Sequence, residues 1–438
     1  MDRTKENAGS TFVEGIKASR PSLAVDLERL KARLAALSEI GADPAGRGVH
    51  RLSFSSADMA ARRWLADQMS TIGLQVRMDA VGNVIGRWQV GQGPAVLMGS
   101  HLDSVPHGGA FDGALGVVAA LECVETLMDR GIAPAAPVEV IGTSEEEGRF
   151  GGMLGAQAMA GAVPADWFHN AADDQGVKLT DALRRAGLAP ESYDEARRDP
   201  AEVKAFLELH IEQGPVLERS GRSVGIVEGI SGVFNWVVVM TGAANHAGTT
   251  PMDLRRDAFR GLADFAAEVP KILTQRGTSA SRLTVGKVEL QPNFPHTVPG
   301  RAEFSIIGRD MDETVMTALA KSCRASLERA AANNGLALEI SEASWLAPTP
   351  CHAEIIAAFQ RQATILGIGA PIMPSGAGHD TQVMAQLAPA GMIFIASTGG
   401  VSHAPEEHSA WPDVEAGANL LLHTLLDVAN LEIRDMQR

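Results

Sequence analysis

The chain has 438 residues, enough for two or three domains that each bury a core, and 45% apolar and 21% charged residues place it with ordinary globular proteins rather than disordered or fibrous ones. A net charge of −15 excludes nucleic acid and anionic membrane as partners, because both require a positive face. Three widely spaced cysteines, Cys123, Cys323 and Cys351, form no CxxC or CxxH pattern, which excludes a disulfide framework and a thiolate zinc site and leaves buried reduced thiols.

The opening MDRTKENAGSTFVEG lacks the apolar run of a secretory signal, and no stretch is apolar enough to span a membrane, so a cytoplasmic protein is expected. Leucines and valines at helical spacing predict an amphipathic helix over Ser22 to Ile40, and a second over Ala60 to Ile72. Short strands are expected at Leu74 to Met78 and Val84 to Trp88. A third, Ala95 to Met98, ends in GSHLDSVPHGGAFDGALG, which feeds a helical run from Leu115 to Met128. The strand Val138 to Ile141 ends in GTSEEEGRF, and Ala205 to His210 ends in EQGP.

Strand, loop, helix and strand in this order predict an α/β fold with its polar loops gathered at one sheet edge, where active sites form. From residue 227 to 346 the texture changes. Strands are expected at Trp236 to Met240, Leu283 to Leu290 and Ala302 to Ile307, with helices at Arg256 to Leu273 and Thr314 to Asn333. This reads as an inserted α+β domain. The style of the first part resumes near His352 with a helix, a Gly-rich loop and the strand Met392 to Ile395. The expected organisation is a discontinuous α/β/α catalytic domain, residues 1–226 and 347–438, interrupted by a smaller domain.

His101, Asp103, Asp112, Glu145, Glu146, Glu147, His210 and His403 all fall at carboxyl ends of predicted strands or in Gly-rich loops. A lone histidine is usually a core or surface residue, and three glutamates in a row usually form a solvated face. Collected at one edge, imidazole and carboxylate without cysteine suit Zn²⁺, Mn²⁺ or Co²⁺, and a shared carboxylate suits a pair of ions. In the HxD sequence, Asp103 is expected to accept the second ring N–H of His101. Adjacent glutamates can divide labour, one binding metal and one handling a proton. No GxSxG elbow supports a serine nucleophile, and SGAGHD lacks the third glycine of a dinucleotide fingerprint.

Five segments, GSHLDSVPHGGAFDGALGVVAALE, TSEEEGRFGGMLGAQAMAG, ELHIEQGPVLE, NHAGTTPMDLRRDA and SGAGHDTQVMAQLAPAGMIFIASTGGVSHAPEEHS, resemble the carbamoylase and allantoate amidohydrolase branch of the M20 metallopeptidase-like family. They run from residue 99 to 409 in the family's order. The resemblance implies that His101, Asp112 and His210 hold one ion, with Asp112 bridging to a second held by Glu147 and His403. It puts Glu146 on the general base and Asp103 behind the first histidine, with Gly148 setting the phase that leaves Glu145 as an extra. It further implies a homodimer in which His246 reaches the partner's site to stabilise an oxyanion, Arg309 grips a substrate carboxylate, and Gln213 makes a polar contact to substrate. The inserted domain would serve as lid and dimerisation domain. His379, with Asp380 and Gln382, is expected to border the pocket. Where relatives carry Asn before the Val-Pro-Gly turn, PHTVPG places His296 here, a bulkier group that titrates near neutrality. The implied activity is metal-dependent cleavage of an N-carbamoyl amino acid or related ureido acid, with an aminoacylase or dipeptidase as the nearest rival.

Overall fold

The computed structural model describes residues 23–431. The N-terminal reading of residues 1–22, including the predicted helix start at Ser22, lies outside the described residues. The strands in chain order are β1 (Gln75–Met78), β2 (Val84–Trp88), β3 (Ala95–His101), β4 (Val138–Thr143), β5 (Val203–Ile211), β6 (Val224–Ile230), β7 (Gly232–Thr241), β8 (Asn245–His246), β9 (Arg282–Gln291), β10 (Thr297–Val298), β11 (Arg301–Asp310), β12 (Ala337–Leu346), β13 (Thr349–Pro350), β14 (Ile372–Ser375) and β15 (Ala390–Ile395). They form a nine-stranded mixed sheet in the order β1-β2-β4-β3-β5-β15-β6-β13, with β14 also on β6. A separate four-stranded antiparallel sheet has the order β12-β7-β11-β9, and β8 and β10 make a two-stranded ribbon.

At the centre of the large sheet β4, β3, β5 and β15 run parallel. Parallel strands need both faces covered, which explains why these segments read as continuous apolar runs rather than as alternating ones. Val96 and Met98 pack on one face with the helices Leu27–Ser38, Ala114–Asp129 and Trp411–Asn430, while Ala95 and Leu97 pack on the other with the helices Leu154–Ala160 and Asp380–Met384. Four adjacent parallel strands therefore open their carboxyl ends in one direction, and the loops after them converge there.

The small sheet shows the opposite pattern. Along β7, Phe234, Trp236, Val238 and Met240 are buried against the helices Ala258–Arg276 and Glu313–Asn333, and the residues between them are half-buried on the other face. One covered face and one open face is what strict period-two alternation produces. The expected strand starts and ends hold to within a few residues. The change from large to small sheet is later than the sequence predicts, because β6 continues past residue 227 to Ile230 in the large sheet before β7 begins. All three cysteines are free and buried, and among the described residues no helix is long and apolar enough to cross a membrane.

Candidate metal centre

His101 ends β3 and His210 lies at the end of β5, one parallel neighbour away, so their rings stand 5.8 Å apart. Asp112 is carried between them by the loop that enters the helix Ala114–Asp129. The turn after it is Gly113, with φ of +61°, and a Cβ at that position would sit 2.5 Å from the His101 ring. Only glycine allows the chain to cross the imidazole that closely. Glu146 and Glu147 follow β4, and His403 lies in the loop after β15. Glu145, Gln213 and His403 all adopt positive φ, a backbone state that non-glycine residues occupy where surrounding contacts over-determine it.

The Asp112 carboxylate divides its two oxygens between two donor sets. Oδ1 lies 3.1 Å from His210 Nε2 and 3.5 Å from His101 Nε2, and Oδ2 lies 3.2 Å from His403 Nε2, which is itself 3.6 Å from Glu147 Oε2. His101, Asp112 and His210 form one close group, and Asp112, Glu147 and His403 form another. His101 Nδ1 is 2.9 Å from the carbonyl of Asp103, and His210 Nδ1 is 2.9 Å from the carbonyl of Ile211. A carbonyl oxygen only accepts, so each Nδ1 carries the hydrogen and each Nε2 turns a lone pair toward Asp112. Lone pairs facing a carboxylate at this distance require a shared proton or a cation between them. The donor set, three imidazole nitrogens and two carboxylates without sulfur, fits a divalent metal, and one oxygen of Glu147 is buried with no hydrogen-bond partner.

The electrostatics follow from that crowding. Burial pushes the Asp112 carboxyl up, but the combined contacts from His101, His210 and His403 outweigh it and hold the group well below the ordinary carboxylate range. Burial, opposed by His101 but reinforced by the charges of Glu147, Asp380 and Asp103, raises Glu146 well above its usual value. Burial and the Asp112 charge bring Glu147 to about 7. His403 is raised to about 8, mainly by its contact with Asp112. A buried site with this much acceptor charge suits a cation.

The HxD expectation needs correction. The carboxylate of Asp103 does not meet the His101 ring; its backbone carbonyl does. The side chain instead accepts from Ser53 Oγ at 2.9 Å and from the backbone N–H groups of Glu146 at 3.3 Å and Glu147 at 3.1 Å. Asp103 thus aligns the glutamate run rather than the imidazole. Glu145 is fully buried and turned away from the cavity, accepting from the N–H groups of Phe150 and Gly152.

A cavity of about 270 Å³ lies over the cluster, lined by His101, Asp112, Glu146, Glu147, His210 and His403 on one side and by Gln213, Arg309 and His379 on the other. Gln213 donates to Asp112 Oδ2 at 2.9 Å. Arg309, at the end of β11 in the small sheet, donates to the Gly376 carbonyl at 2.7 Å and turns its guanidinium to this cavity. His379 is buried, with Nε2 3.0 Å from Ser375 Oγ and its ring against His210; burial and the neighbouring His210 hold it well below its usual pKa. His246 and His296 do not line the cavity. Both are exposed at the end of the β8–β10 ribbon, where Thr297 pairs with His246 and the Ala247 N–H donates to the carbonyl of His296, the residue before β10. His246 Nδ1 accepts from the N–H groups of Gly248 and Thr249, which leaves Nε2 as a hydrogen donor facing outward.

Several contributors were not singled out in the sequence. Glu407 accepts from the N–H groups of Phe111 and Asp112 and from Ser402 Oγ, so it fixes the loop that presents Asp112. Its place in HAPEEHS, four residues after His403, was the available signal. Arg255 donates to the carbonyls of Ala247 and Thr250 and braces the His246 turn. Buried Glu208 accepts from Ser100 Oγ and from Thr381, linking β5 to β3 and to the helix Asp380–Met384 beneath the cluster.

Convergent histidines and carboxylates at the open edge of a parallel sheet, below an arginine from a second sheet, define a metal-dependent hydrolase site. The profile of the peptidase family M20/M25/M40 matches residues 97–427, and the chain belongs to that family. An N-carbamoyl-L-amino acid amidohydrolase of Geobacillus stearothermophilus is 41% identical over 92% of this chain and 99% of its own. An allantoate amidohydrolase of Bacillus subtilis is 35% identical over 90% and 95% respectively. The crystal structure of an amidase of the hydantoinase/carbamoylase family from Burkholderia multivorans superposes with a TM-score of 0.87 at 34% identity, covering 93% of this chain and 99% of that one. Within the family the chain is therefore an amidohydrolase of the carbamoylase and allantoate branch, acting on non-peptide C–N bonds.

Proposed function

We propose that the chain hydrolyses the ureido group of an N-carbamoyl-L-amino acid or a related ureido acid, giving an amine, carbon dioxide and ammonia, with two divalent ions per subunit. The reading rests on the divided carboxylate of Asp112, whose two oxygens face separate donor sets in a cavity that also receives Arg309. His101, Asp112 and His210 would hold one ion; Asp112, Glu147 and His403 would hold the other. Zn²⁺ suits this donor set first, with Mn²⁺ or Co²⁺ as alternatives. When bound, such ions supply Lewis acidity that lowers the pKa of water and polarises a carbonyl.

Glu146 is the base. Its raised pKa makes it a proton acceptor from water and then a donor to the leaving nitrogen, so one residue serves both halves of the reaction. Departure of the amine leaves a carbamate, which decays to carbon dioxide and ammonia. Asp103 holds the backbone of Glu146 and Glu147 and keeps that carboxylate aimed. Arg309, anchored by one N–H on Gly376, retains further donors for a bidentate grip on the substrate carboxylate. Gln213 contributes a polar contact beside Asp112.

His246 stabilises the carbonyl oxygen with its outward Nε2–H, delivered from a second subunit of a homodimer, and His296 helps shape the same contact. Residues 227–346 act as a lid and dimerisation unit on the catalytic remainder. Buried reduced thiols suit a cytoplasmic setting.

The test is ammonia release from N-carbamoyl amino acids, 3-ureidopropionate, allantoate and ureidoglycolate, beside an N-acetyl amino acid and a dipeptide. Stripped protein is reloaded with each metal, with Glu146→Gln as control. Metal-dependent ammonia lost in the control supports the reading. Amine release from the acetyl compound or dipeptide alone moves the enzyme to aminoacylase chemistry.

A further inference from the structure

Beside the donor cavity lies a second of about 540 Å³, and Gln213, Arg309 and Ala377 line both, so the two adjoin at Arg309. A carboxylate and a ureido group occupy the first. The second is larger than the smallest ureido acids could fill, and it opens from Arg309, where the α-carboxylate is held in the proposed reaction. The substrate's side chain is the part of the molecule that reaches it.

The chemistry of its walls differs from side to side. Met373 and Phe394 provide an apolar floor from the large sheet, and Arg282 enters from β9. Arg282 is the registered partner of Arg309 across the β11–β9 pair, so the two side chains project from the same face of the small sheet. Like charges directly opposite on adjacent strands destabilise a sheet. Among the described residues neither guanidinium has a carboxylate at ion-pair distance. Arg309 donates to the Gly376 carbonyl, and Arg282 donates to the carbonyls of Ser279 and Ser281. Those contacts fix each group while leaving other N–H donors free.

Two acidic residues line the same cavity. Glu212 is already engaged by the N–H groups of Val216 and Leu217, and Glu228 stands on β6, in the large sheet rather than on β9. An anionic group entering the cavity is therefore directed to the Arg282 side. A second negative charge relieves the repulsion between the two arginines, whereas an apolar side chain leaves it in place.

We propose that this cavity is the side-chain subsite and that Arg282 binds a second carboxylate, so that N-carbamoyl dicarboxylic amino acids are favoured over neutral ones. The inference rests on the ureido-acid reading above. Arg309 and Arg282 then hold one carboxylate each, and the apolar floor packs the methylene groups between them.

The test compares kcat/KM for N-carbamoyl-L-glutamate, N-carbamoyl-L-leucine and N-carbamoyl-L-lysine in the wild type, R282Q and R282K. The ratio of glutamate to leucine substrate is insensitive to a loss of folded enzyme. It is expected to exceed one in the wild type, to fall by about tenfold in R282Q, as loss of one charge-assisted contact implies, and to recover in part in R282K. Calorimetric binding of N-carbamoyl-L-glutamate to E146Q should weaken similarly when R282Q is added. An unchanged ratio, or a preference for the lysine compound directed by Glu228, overturns the inference and leaves the ureido-acid function intact. Hydrolysis of no ureido acid, with no binding of the glutamate compound, overturns both.

Discussion

The metal cavity and the β8–β10 ribbon hold the same residue type in opposite states. In the cavity, His101 and His210 are buried, and each is fixed by a backbone carbonyl on one nitrogen and by Asp112 beyond the other. On the ribbon, His246 is exposed; its backbone pairs with Thr297, its ring accepts from its own turn, and Arg255 braces that turn. The first arrangement is complete within one chain. The second orients a donor outward with no acceptor for it among the described residues, and the proposed function gives that donor a task in a second subunit. Rigid preorganisation suits groups that hold charge throughout turnover, and a presented donor suits a contact needed only as charge develops on the substrate.

The sharpest way to break the cavity side is Asp112→Asn. Removing the charge between the two donor sets should abolish metal-dependent ammonia release and lower metal retention on dialysis; full activity would mean that the carboxylate is not shared. Next in size, Glu146→Gln should cut kcat by about a thousandfold while metal content stays at the wild-type value, as removal of a proton-transfer group implies.

The ribbon is tested by His246→Ala, expected to lower kcat by about a hundredfold, the scale for one lost oxyanion donor, without changing metal content. Mixing H246A subunits with E146Q subunits sharpens the point. If His246 acts across a dimer, the mixture regains activity that neither variant has alone, and no recovery means that it acts in its own chain or not at all. A smaller effect is expected for Asp103→Asn or Glu407→Gln, each about tenfold in metal affinity or rate, because these groups orient the residues that do the work.

The smallest effect lies outside both regions. Buried Glu139 accepts from Arg198 and Arg87 at 2.7 Å each, and although burial pushes its carboxyl up, the two guanidinium contacts together hold it below its ordinary value. A folded pKa below the unfolded one contributes stability that is complete above the unfolded value and is lost as pH falls through the folded one. Thermal unfolding of Glu139→Gln should therefore approach the wild-type midpoint as pH drops below about 4.5 and fall short of it near neutrality. A constant offset across that range would contradict the assignment.

Much of the cavity was legible because its clustered histidines and carboxylates follow apolar strands in Gly-rich loops, which meet once β4, β3, β5 and β15 are parallel neighbours. The role of Asp103 was not, because HxD spacing does not distinguish a side-chain acceptor from a backbone carbonyl at the same residue. Glu407 was marked only by its place in HAPEEHS, because two of its three partners are backbone N–H groups, which leave no mark on residue type. In the fold, β12 was missed because ALEISEASWL is an edge strand exposed along most of its length, so its alternation is weak. The short β14 was hidden by Pro374, which a strand tolerates only where its N–H is not needed. The helix Trp411–Asn430, by contrast, carries a clear apolar face in its sequence, with Val414, Ala418, Leu421 and Leu425 buried.

The central claim is that Asp112 is shared by two ions, and the direct measurement is a metal titration of stripped protein, with bound metal and ammonia release followed together. Activity that appears only as a second equivalent binds, with a single equivalent at most retained by Asp112→Asn, is the predicted result. Full activity at one equivalent, unchanged by a second, would contradict it.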